Sequence, residues 1–352
     1  MNILVTGGMG FIGSHFVKKL VKYNNSVIIV DNMSIGSNEK NVPNTMYMNG
    51  KFLTEDFFYD FDKRKYLKTP LLYVKDIGDY GTISYILHSF KIDAVVNFAA
   101  QTHVDRSIDS CETFVKNNIS DFSILLTACN DYFQGIRKDS EFKFIQISTD
   151  EVFGSLKYED YKFNEQSNYN PLNPYAATKA SAEHLLLSFN NTYGFPGIIT
   201  NCCNNYGTNQ YEEKFIPKAI TNLLQDKPIE VYGLGENIRE WIYVGDHCDI
   251  LYNILLRGNK ERYLIGSGDE YSNIEIAERI CYILYKPIDL EYDKYIQFIE
   301  DRKGHDFRYA LDTSKTMKSL FHGNQINFTD FNSGLRNTIE WYTEKRKNEN
   351  KE

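Results

Sequence analysis

Asn2-Ile3-Leu4-Val5-Thr6-Gly7-Gly8-Met9-Gly10-Phe11-Ile12-Gly13-Ser14-His15-Phe16-Val17-Lys18-Lys19-Leu20-Val21 opens the chain with the signal of a strand, a glycine turn and a helix. A short apolar run leads into Gly7, Gly10 and Gly13; then Phe16, Val17, Leu20 and Val21 recur at helical spacing. The pattern predicts a strand at Ile3–Thr6, a tight turn, and a helix over Phe11–Tyr23. Glycine belongs in such a turn because the backbone must approach a pyrophosphate closely. The helix behind it offers unpaired N–H groups and a positive dipole end. Ser26–Val30 reads as the second strand, and Asp31 closes it 18 residues after Gly13. A carboxylate there accepts hydrogen bonds from a ribose 2′-OH and repels a 2′-phosphate, favouring NAD over NADP.

Outward from this unit, strands and helices keep alternating, the pattern of a parallel sheet covered on both faces. Leu71–Val74, Ala94–Phe98, Phe142–Ser148 and Ile198–Asn201 read as buried strands. Helices fit Tyr80–Phe90, Cys111–Tyr132 and Pro174–Tyr193. Residues 38–70 lack clean periodicity and read as an insertion. The expected fold class is therefore α/β: a Rossmann-type doubly wound parallel sheet with a smaller mixed α/β C-terminal lobe. The domain reading is 1–200 for dinucleotide binding, with a return of the chain around 243–264, and 201–345 mainly for substrate. Residues 346–352 read as a charged, frayed tail.

The composition sets limits on function. The chain has 352 residues, 42% hydrophobic and 24% charged, with 26 tyrosines and 23 phenylalanines. That supports a large core and excludes global disorder. No window approaches the roughly 20 apolar residues of a membrane span. The start of the chain reads as a strand and not as a signal peptide. A net charge of −8 repels nucleic acid and anionic membrane, so an anionic ligand needs local cations. The six cysteines (111, 129, 202, 203, 248, 281) show neither a CxxC nor a metal-ligand spacing. They read as free thiols in a reducing cytoplasm, with no metal.

Two further stretches carry chemistry. Tyr175 and Lys179 stand four apart after Asn173-Pro174, a helix-start signal, and so share a helix face. An ammonium beside a phenol stabilises the phenolate, which makes tyrosine a base near neutral pH. Ser148-Thr149-Asp150-Glu151-Val152-Phe153-Gly154 places a hydroxyl and two carboxylates at a strand's C-terminal end, where open α/β sheets bind ligands.

Together these features resemble the extended short-chain dehydrogenase/reductase family, and Ser-Thr-Asp-Glu-Val-Phe-Gly is similar to the signature of its nucleotide-sugar 4,6-dehydratases. The resemblance extends through Ala99-Ala100-Gln101-Thr102-His103-Val104-Asp105, Asn201-Cys202-Cys203-Asn204-Asn205-Tyr206-Gly207 and Glu213-Lys214-Phe215-Ile216-Pro217. It continues through Ile238-Arg239-Glu240-Trp241-Ile242-Tyr243-Val244 and Asp301-Arg302-Lys303-Gly304-His305-Asp306. It implies NAD contacts at Gly7, Gly10, Phe11, Ile12, Gly13, Asp31, Asn32, Asp76, Ile77, Ala99, Ala100, Asn117, Tyr175, Lys179 and Asn205. Implied substrate contacts are Thr102, Asn204, Lys214, Phe215, Tyr232, Arg239, Asn273, Arg302 and His305. The chain departs from the family pattern at Phe153 (commonly Tyr), at Lys303 (commonly Pro) and at Tyr211-Glu212 (commonly Phe-Pro). The separation of Asp31 from Asp76 is also longer than usual.

The reaction so implied is dehydration of dTDP- or UDP-glucose to the 4-keto-6-deoxy sugar nucleotide, within rhamnose-type biosynthesis. Tyr175 would take the 4-OH proton, Lys179 would assist it, and Thr149 would orient the 4-oxygen. Glu151 would then remove the C5 proton, which the new ketone acidifies, while Asp150 protonates the departing 6-OH. Mutual proximity and burial would keep Asp150 protonated for that step. A 4-epimerase, or another C4-oxidising member of the fold, would leave Asp150 and Glu151 without a task; a silent NAD sensor would not need the Tyr/Lys pair. The family also implies a homodimer through helices near 111–132 and 174–193.

Overall fold

A computed structural model describes residues 1–48, 67–138, 141–285, 294–322 and 326–349. The strands, in chain order, are β1 Asn2–Thr6, β2 Ser26–Asp31, β3 Met46–Tyr47, β4 Leu71–Val74, β5 Ala94–Asn97 and β6 Lys143–Thr149. There follow β7 Gly197–Cys202, β8 Asn204–Tyr206, β9 Ile229–Tyr232, β10 Ile238–Tyr243, β11 Arg262–Ile265, β12 Glu270–Ser272 and β13 Ile296–Ile299. The chain forms two compact units. The first contains Met1–Thr149, Asn173–Asn201 and Cys248–Tyr263; the second contains Asp150–Leu172, Cys202–His247 and Leu264–Glu352.

The first unit carries an eight-stranded sheet in the order β11-β7-β6-β5-β1-β2-β4-β3. Strand β1 pairs in parallel with β2 and β5, β2 with β4, β5 with β6, and β3 with β4. Residues of β1, β2 and β5 are almost all buried, which is why these strands read as unbroken apolar runs and not as alternations. The chain leaves β1 towards β2 on one side and later towards β5 on the other, so the order reverses at β1. Ligands bind outside the carboxyl ends of strands at such a switch point. Phe16, Val17 and Leu20 of helix Phe11–Lys22 are fully buried, each contributing about 1.5–3 kcal/mol.

Helix Pro174–Tyr193 starts where the sequence signals it. The Asn173 side chain accepts the Ala176 N–H at 2.8 Å, Pro174 follows the cap, and Gly194 ends the helix at φ 67°. The helix expected at Cys111–Tyr132 is less regular. It runs as Glu112–Val115, a π-helical segment Lys116–Asp121, an α segment Phe122–Tyr132, and a second π segment Phe133–Arg137. Most of the insertion expected at 38–70, residues 49–66, lies outside the described residues. Of its described part, Met46–Tyr47 joins the sheet edge beside β4.

The second unit holds β12-β10-β8, with β10 antiparallel to β12 and parallel to β8, and a parallel pair β13-β9. Tyr206, Ile220, Trp241, Ile276, Leu335 and Tyr342 are among its core residues. Residues 150–172, which the sequence reading kept within 1–200, cluster with this unit. Backbone bridges explain it: Leu156 pairs with Arg308 and Phe163 with Leu311. The charged tail is not frayed throughout, because helix Phe331–Glu349 takes in Arg346 to Glu349.

Candidate active site

In the first unit the glycine turn is shaped by close backbone packing. Gly7 has φ +67°, and a Cβ there would lie 2.6 Å from the Ala99 backbone nitrogen. Only glycine allows both the left-handed conformation and the approach to the end of β5. Gly10 caps the next helix without a side-chain hydrogen bond, and no acidic residue occupies the first turn. Phe11, Ile12 and Gly13 thus open a helix terminus suited to an anion. Asp31 ends β2 with its carboxylate accepting the Met9 N–H, the Met33 N–H and the Ser37 hydroxyl, each at 2.9 Å. Burial pushes its pKa above the usual carboxylate value, and these three donors oppose the shift. Asn32 donates to Asp76 at 2.7 Å, and Ile77 beside it is buried.

Ala99, Ala100 and Thr102 follow β5, in a loop pinned from the helical run. The Asn118 side chain accepts the Gln101 N–H at 2.8 Å and donates to the Gln101 carbonyl and the Thr178 hydroxyl, both at 3.0 Å. Asn117 next to it carries a buried Oδ1 with no hydrogen-bond partner among the described residues. The glycine cradle, the uncapped helix start and this orphan acceptor fit a dinucleotide.

Tyr175 and Lys179 are both buried. The Tyr175 N–H donates to the Ser107 hydroxyl at 3.2 Å, and Lys179 Nζ donates to the Ile147 carbonyl at 2.7 Å. Thr149 lies two residues further along β6, and its carbonyl accepts from Asn201 Nδ2 at 2.9 Å. The helix carrying Tyr175 and Lys179 is therefore held against the strand ending at Thr149.

In the second unit Asp150–Phe153 forms a 3₁₀ turn directly after β6. Asp150 is buried at 1% exposure, and Glu151 is half-buried. Gly154, at φ +89°, packs on Asn170, and the Asn170 N–H donates to the Val152 carbonyl at 3.0 Å. Phe153 is buried between Phe163 and Tyr169, with ring centroids 5.3 and 6.2 Å away. The phenylalanine found where the family commonly has tyrosine thus sits in an aromatic cluster. Glu151 faces Tyr309: burial first, and the Glu151 charge second, push the Tyr309 phenol well above its ordinary pKa.

The expected cations gather in the same unit. Arg239 donates to the carbonyls of Ile238 (2.8 Å), Asp306 (2.9 Å) and Phe307 (3.2 Å) and stacks 4.3 Å over the Tyr309 ring. Arg302 lies 5.0 Å over Tyr232, and His305 packs edge-on to that ring while bonding Asp301 at 2.7 Å. Asn204 opens β8, Lys214 precedes helix Phe215–Leu223, and Asn273 starts helix Asn273–Tyr285. Asn205 is engaged internally, accepting from His247 Nδ1 at 2.7 Å and donating to the Cys203 carbonyl at 3.0 Å.

A family model described as GDP-mannose 4,6 dehydratase matches residues 4–334. The dTDP-glucose 4,6-dehydratase of Haemophilus influenzae is 38% identical, over 97% of this chain and 98% of that protein. The chain belongs to the nucleotide-sugar 4,6-dehydratase family.

Solved structures agree with the sequence match. The dehydratase DesIV of Streptomyces venezuelae, crystallised with NAD and TYD, superposes with a TM-score of 0.83 at 34% identity, covering 99% of this chain and 98% of that one. The UDP-glucose 4-epimerase of Thermotoga maritima, with UDP-glucose, gives 0.81 at 26% identity, covering 98% of this chain and 100% of that one. Dehydratases and epimerases share this fold.

Four further residues help organise the two units: Asn118, Glu183, Arg308 and Tyr309. Asn118 could have been noticed as the second of two adjacent asparagines within a helix. Glu183 could have been noticed as a charge on the face of Tyr175 and Lys179. Arg308 and Tyr309 offered no sequence signal. Arg308 pairs with Glu270 at 2.7 Å and donates to the carbonyls of Lys157, Tyr158 and Asp160.

Proposed function

We propose that this chain binds NAD and converts dTDP-glucose to dTDP-4-keto-6-deoxyglucose and water, the entry step to a 6-deoxysugar. The observation that carries the reading is Thr149-Asp150-Glu151 running straight out of β6 into a 3₁₀ turn, while Lys179, one turn from Tyr175, is bonded to that strand.

Tyr175 accepts the proton of the sugar 4-hydroxyl. Lys179 lends its positive charge to the phenolate, and Thr149 donates to the 4-oxygen. Bound NAD supplies the acceptor, and later the donor, of the hydride. Once C4 is a ketone the C5 proton is acidic. Glu151 removes it, Asp150 gives a proton to the departing 6-oxygen, and the C5–C6 double bond so formed then takes the returning hydride at C6 and a proton at C5. An epimerase needs neither acid, and this distinguishes the proposal from the other activity seen on the fold. Arg302, Lys214 and His305 offer cationic and donor groups for the diphosphate in a chain of net charge −8.

The first unit is then the NAD-binding one and the second the sugar-nucleotide one. Exposed Cys111 and Val115, at the start of the run expected to pair in a dimer, support self-association. All six cysteines are free, which supports a reducing, cytoplasmic setting. No helix among the described residues is long and apolar enough to cross a membrane. Side-by-side turnover of dTDP-glucose and UDP-glucose tests the nucleotide: dTDP-glucose should have the higher kcat/KM, and a preference for UDP-glucose would overturn that choice.

A further inference from the structure

Glu183 stands one helical turn beyond Lys179, as Lys179 stands one turn beyond Tyr175, so the three share a face. Its side chain is fully buried. One carboxylate oxygen accepts from the Ser148 hydroxyl and, at 2.7 Å, from Asn201 Nδ2. The other oxygen meets the Arg262 guanidinium at 2.8 Å. Asn201 Nδ2 also reaches the Thr149 carbonyl. Three consecutive residues of β6 are thereby tied to one helix face: Ile147 through Lys179, Ser148 through Glu183, and Thr149 through Asn201 and Glu183.

A buried ion pair often stabilises a fold less than well-packed apolar side chains of similar volume would. Stability alone is therefore a weak reason for a carboxylate and a guanidinium here. Specificity of arrangement is a better one, since each hydrogen bond fixes a distance that apolar packing leaves free to slide. We propose that Glu183, with Arg262 as counter-ion, is a positioning residue: it sets the register between the helix bearing Tyr175 and Lys179 and the strand end bearing Thr149. The inference rests on the proposed 4,6-dehydratase reaction and names a residue that acts on C4 oxidation without touching the sugar.

The test compares wild type with Glu183→Gln, which keeps the side chain's shape but opposes an amide to Arg262, and with Ser148→Ala, which leaves the ion pair intact. Asn190→Ala is the control. Its amide bonds the Gly197 backbone at 2.9 and 3.0 Å near the far end of the same helix, so its loss loosens the helix away from the site. Measured on NAD-loaded enzyme are kcat, KM for dTDP-glucose, bound NAD, melting temperature and the rate of the nicotinamide absorbance change on mixing with substrate. Glu183→Gln should lower kcat and that rate on the order of 10²-fold, the cost of misplacing reacting groups by about 1 Å. Ser148→Ala should lower both by a smaller factor. In each, KM and bound NAD should stay at wild-type values. Asn190→Ala should melt earlier at unchanged kcat. Wild type that does not turn over dTDP-glucose overturns the functional reading itself. Active wild type with unchanged kcat in Ser148→Ala and Glu183→Gln overturns the positioning role, as does a kcat loss in Asn190→Ala that tracks its melting temperature. Should Glu183→Gln fail to fold, Ser148→Ala decides alone.

Discussion

Lys179 Nζ donates to the main-chain carbonyl of Ile147 at 2.7 Å. One bond thus joins the helix that carries the phenol of Tyr175 to the strand that ends at Thr149, directly before Asp150 and Glu151. The lysine holds the helix against β6, and in the proposed reaction it would also supply the charge that stabilises a phenolate. An apolar substitute would remove this bond and leave the carbonyl the longer one from Gln146 Nε2, at 3.3 Å.

Tyr175→Phe removes the phenol that the proposed reaction uses as proton acceptor, while the ring stays buried and the Tyr175 N–H keeps its bond to Ser107. The variant should retain its NAD and melting temperature while kcat falls roughly 10²–10⁴-fold, the usual worth of a positioned acid or base. Steady-state turnover beside cofactor content after purification checks it. Turnover near wild type would remove Tyr175 from the mechanism.

In the proposed reaction, Glu151→Gln should leave the C4 chemistry intact and slow the elimination. On mixing with dTDP-glucose, the absorbance change of the nicotinamide should appear and persist, with dehydrated product formed roughly 10²–10⁴-fold more slowly. Stopped-flow absorbance followed by mass analysis of the quenched mixture reads both steps. Product forming at the wild-type rate would assign C5 deprotonation to another group.

Gly7→Ala places a methyl group 2.6 Å from the Ala99 nitrogen and asks alanine to adopt φ +67°. The strain should cost about 1–3 kcal/mol and distort the turn that would face the pyrophosphate. Thermal unfolding should show a lower melting temperature, and NAD titration a weaker affinity. Unchanged NAD affinity would separate this turn from the cofactor.

His247 makes stability depend on pH. Its Nδ1 bonds Asn205, while Nε2 is buried without a hydrogen-bond partner among the described residues. Burial pushes its pKa down to about 3, from 6.5. The unfolded chain therefore takes up this proton first as pH falls. The stabilisation is complete above 6.5 and drains away towards pH 3, at about 1.4 kcal/mol per pH unit. Denaturant unfolding across that window should show a shallower slope in His247→Gln than in wild type. Equal slopes would contradict the assignment.

What was legible in the sequence follows from the range of the interactions concerned. The first half could be read because its strands are buried on both faces and its turns and caps are local: Gly7 to Gly13 and Asn173-Pro174. The π-helical segments at Lys116–Asp121 and Phe133–Arg137 could not, since one extra residue in a turn leaves the apolar pattern nearly unchanged. Met46–Tyr47 is a two-residue edge strand with both residues exposed, too short and too polar in its surroundings to signal itself. The acids and the Tyr/Lys pair were visible as motifs, but their supports were not. Arg308 meets Glu270 across 38 residues and three carbonyls across about 150, separations that no local spacing encodes. Glu183 was hidden for a different reason: four residues after a lysine, it looks like an ordinary surface charge.

The most direct trial is to incubate the purified protein with dTDP-glucose and determine the product by mass and by its NMR spectrum. Conversion to a nucleotide sugar lighter by one water, with a ketone at C4 and a methyl group at C6, is the predicted result. A product of unchanged mass inverted at C4, or no reaction while NAD is bound, would mean that the carboxylates following β6 do not expel water from the hexose.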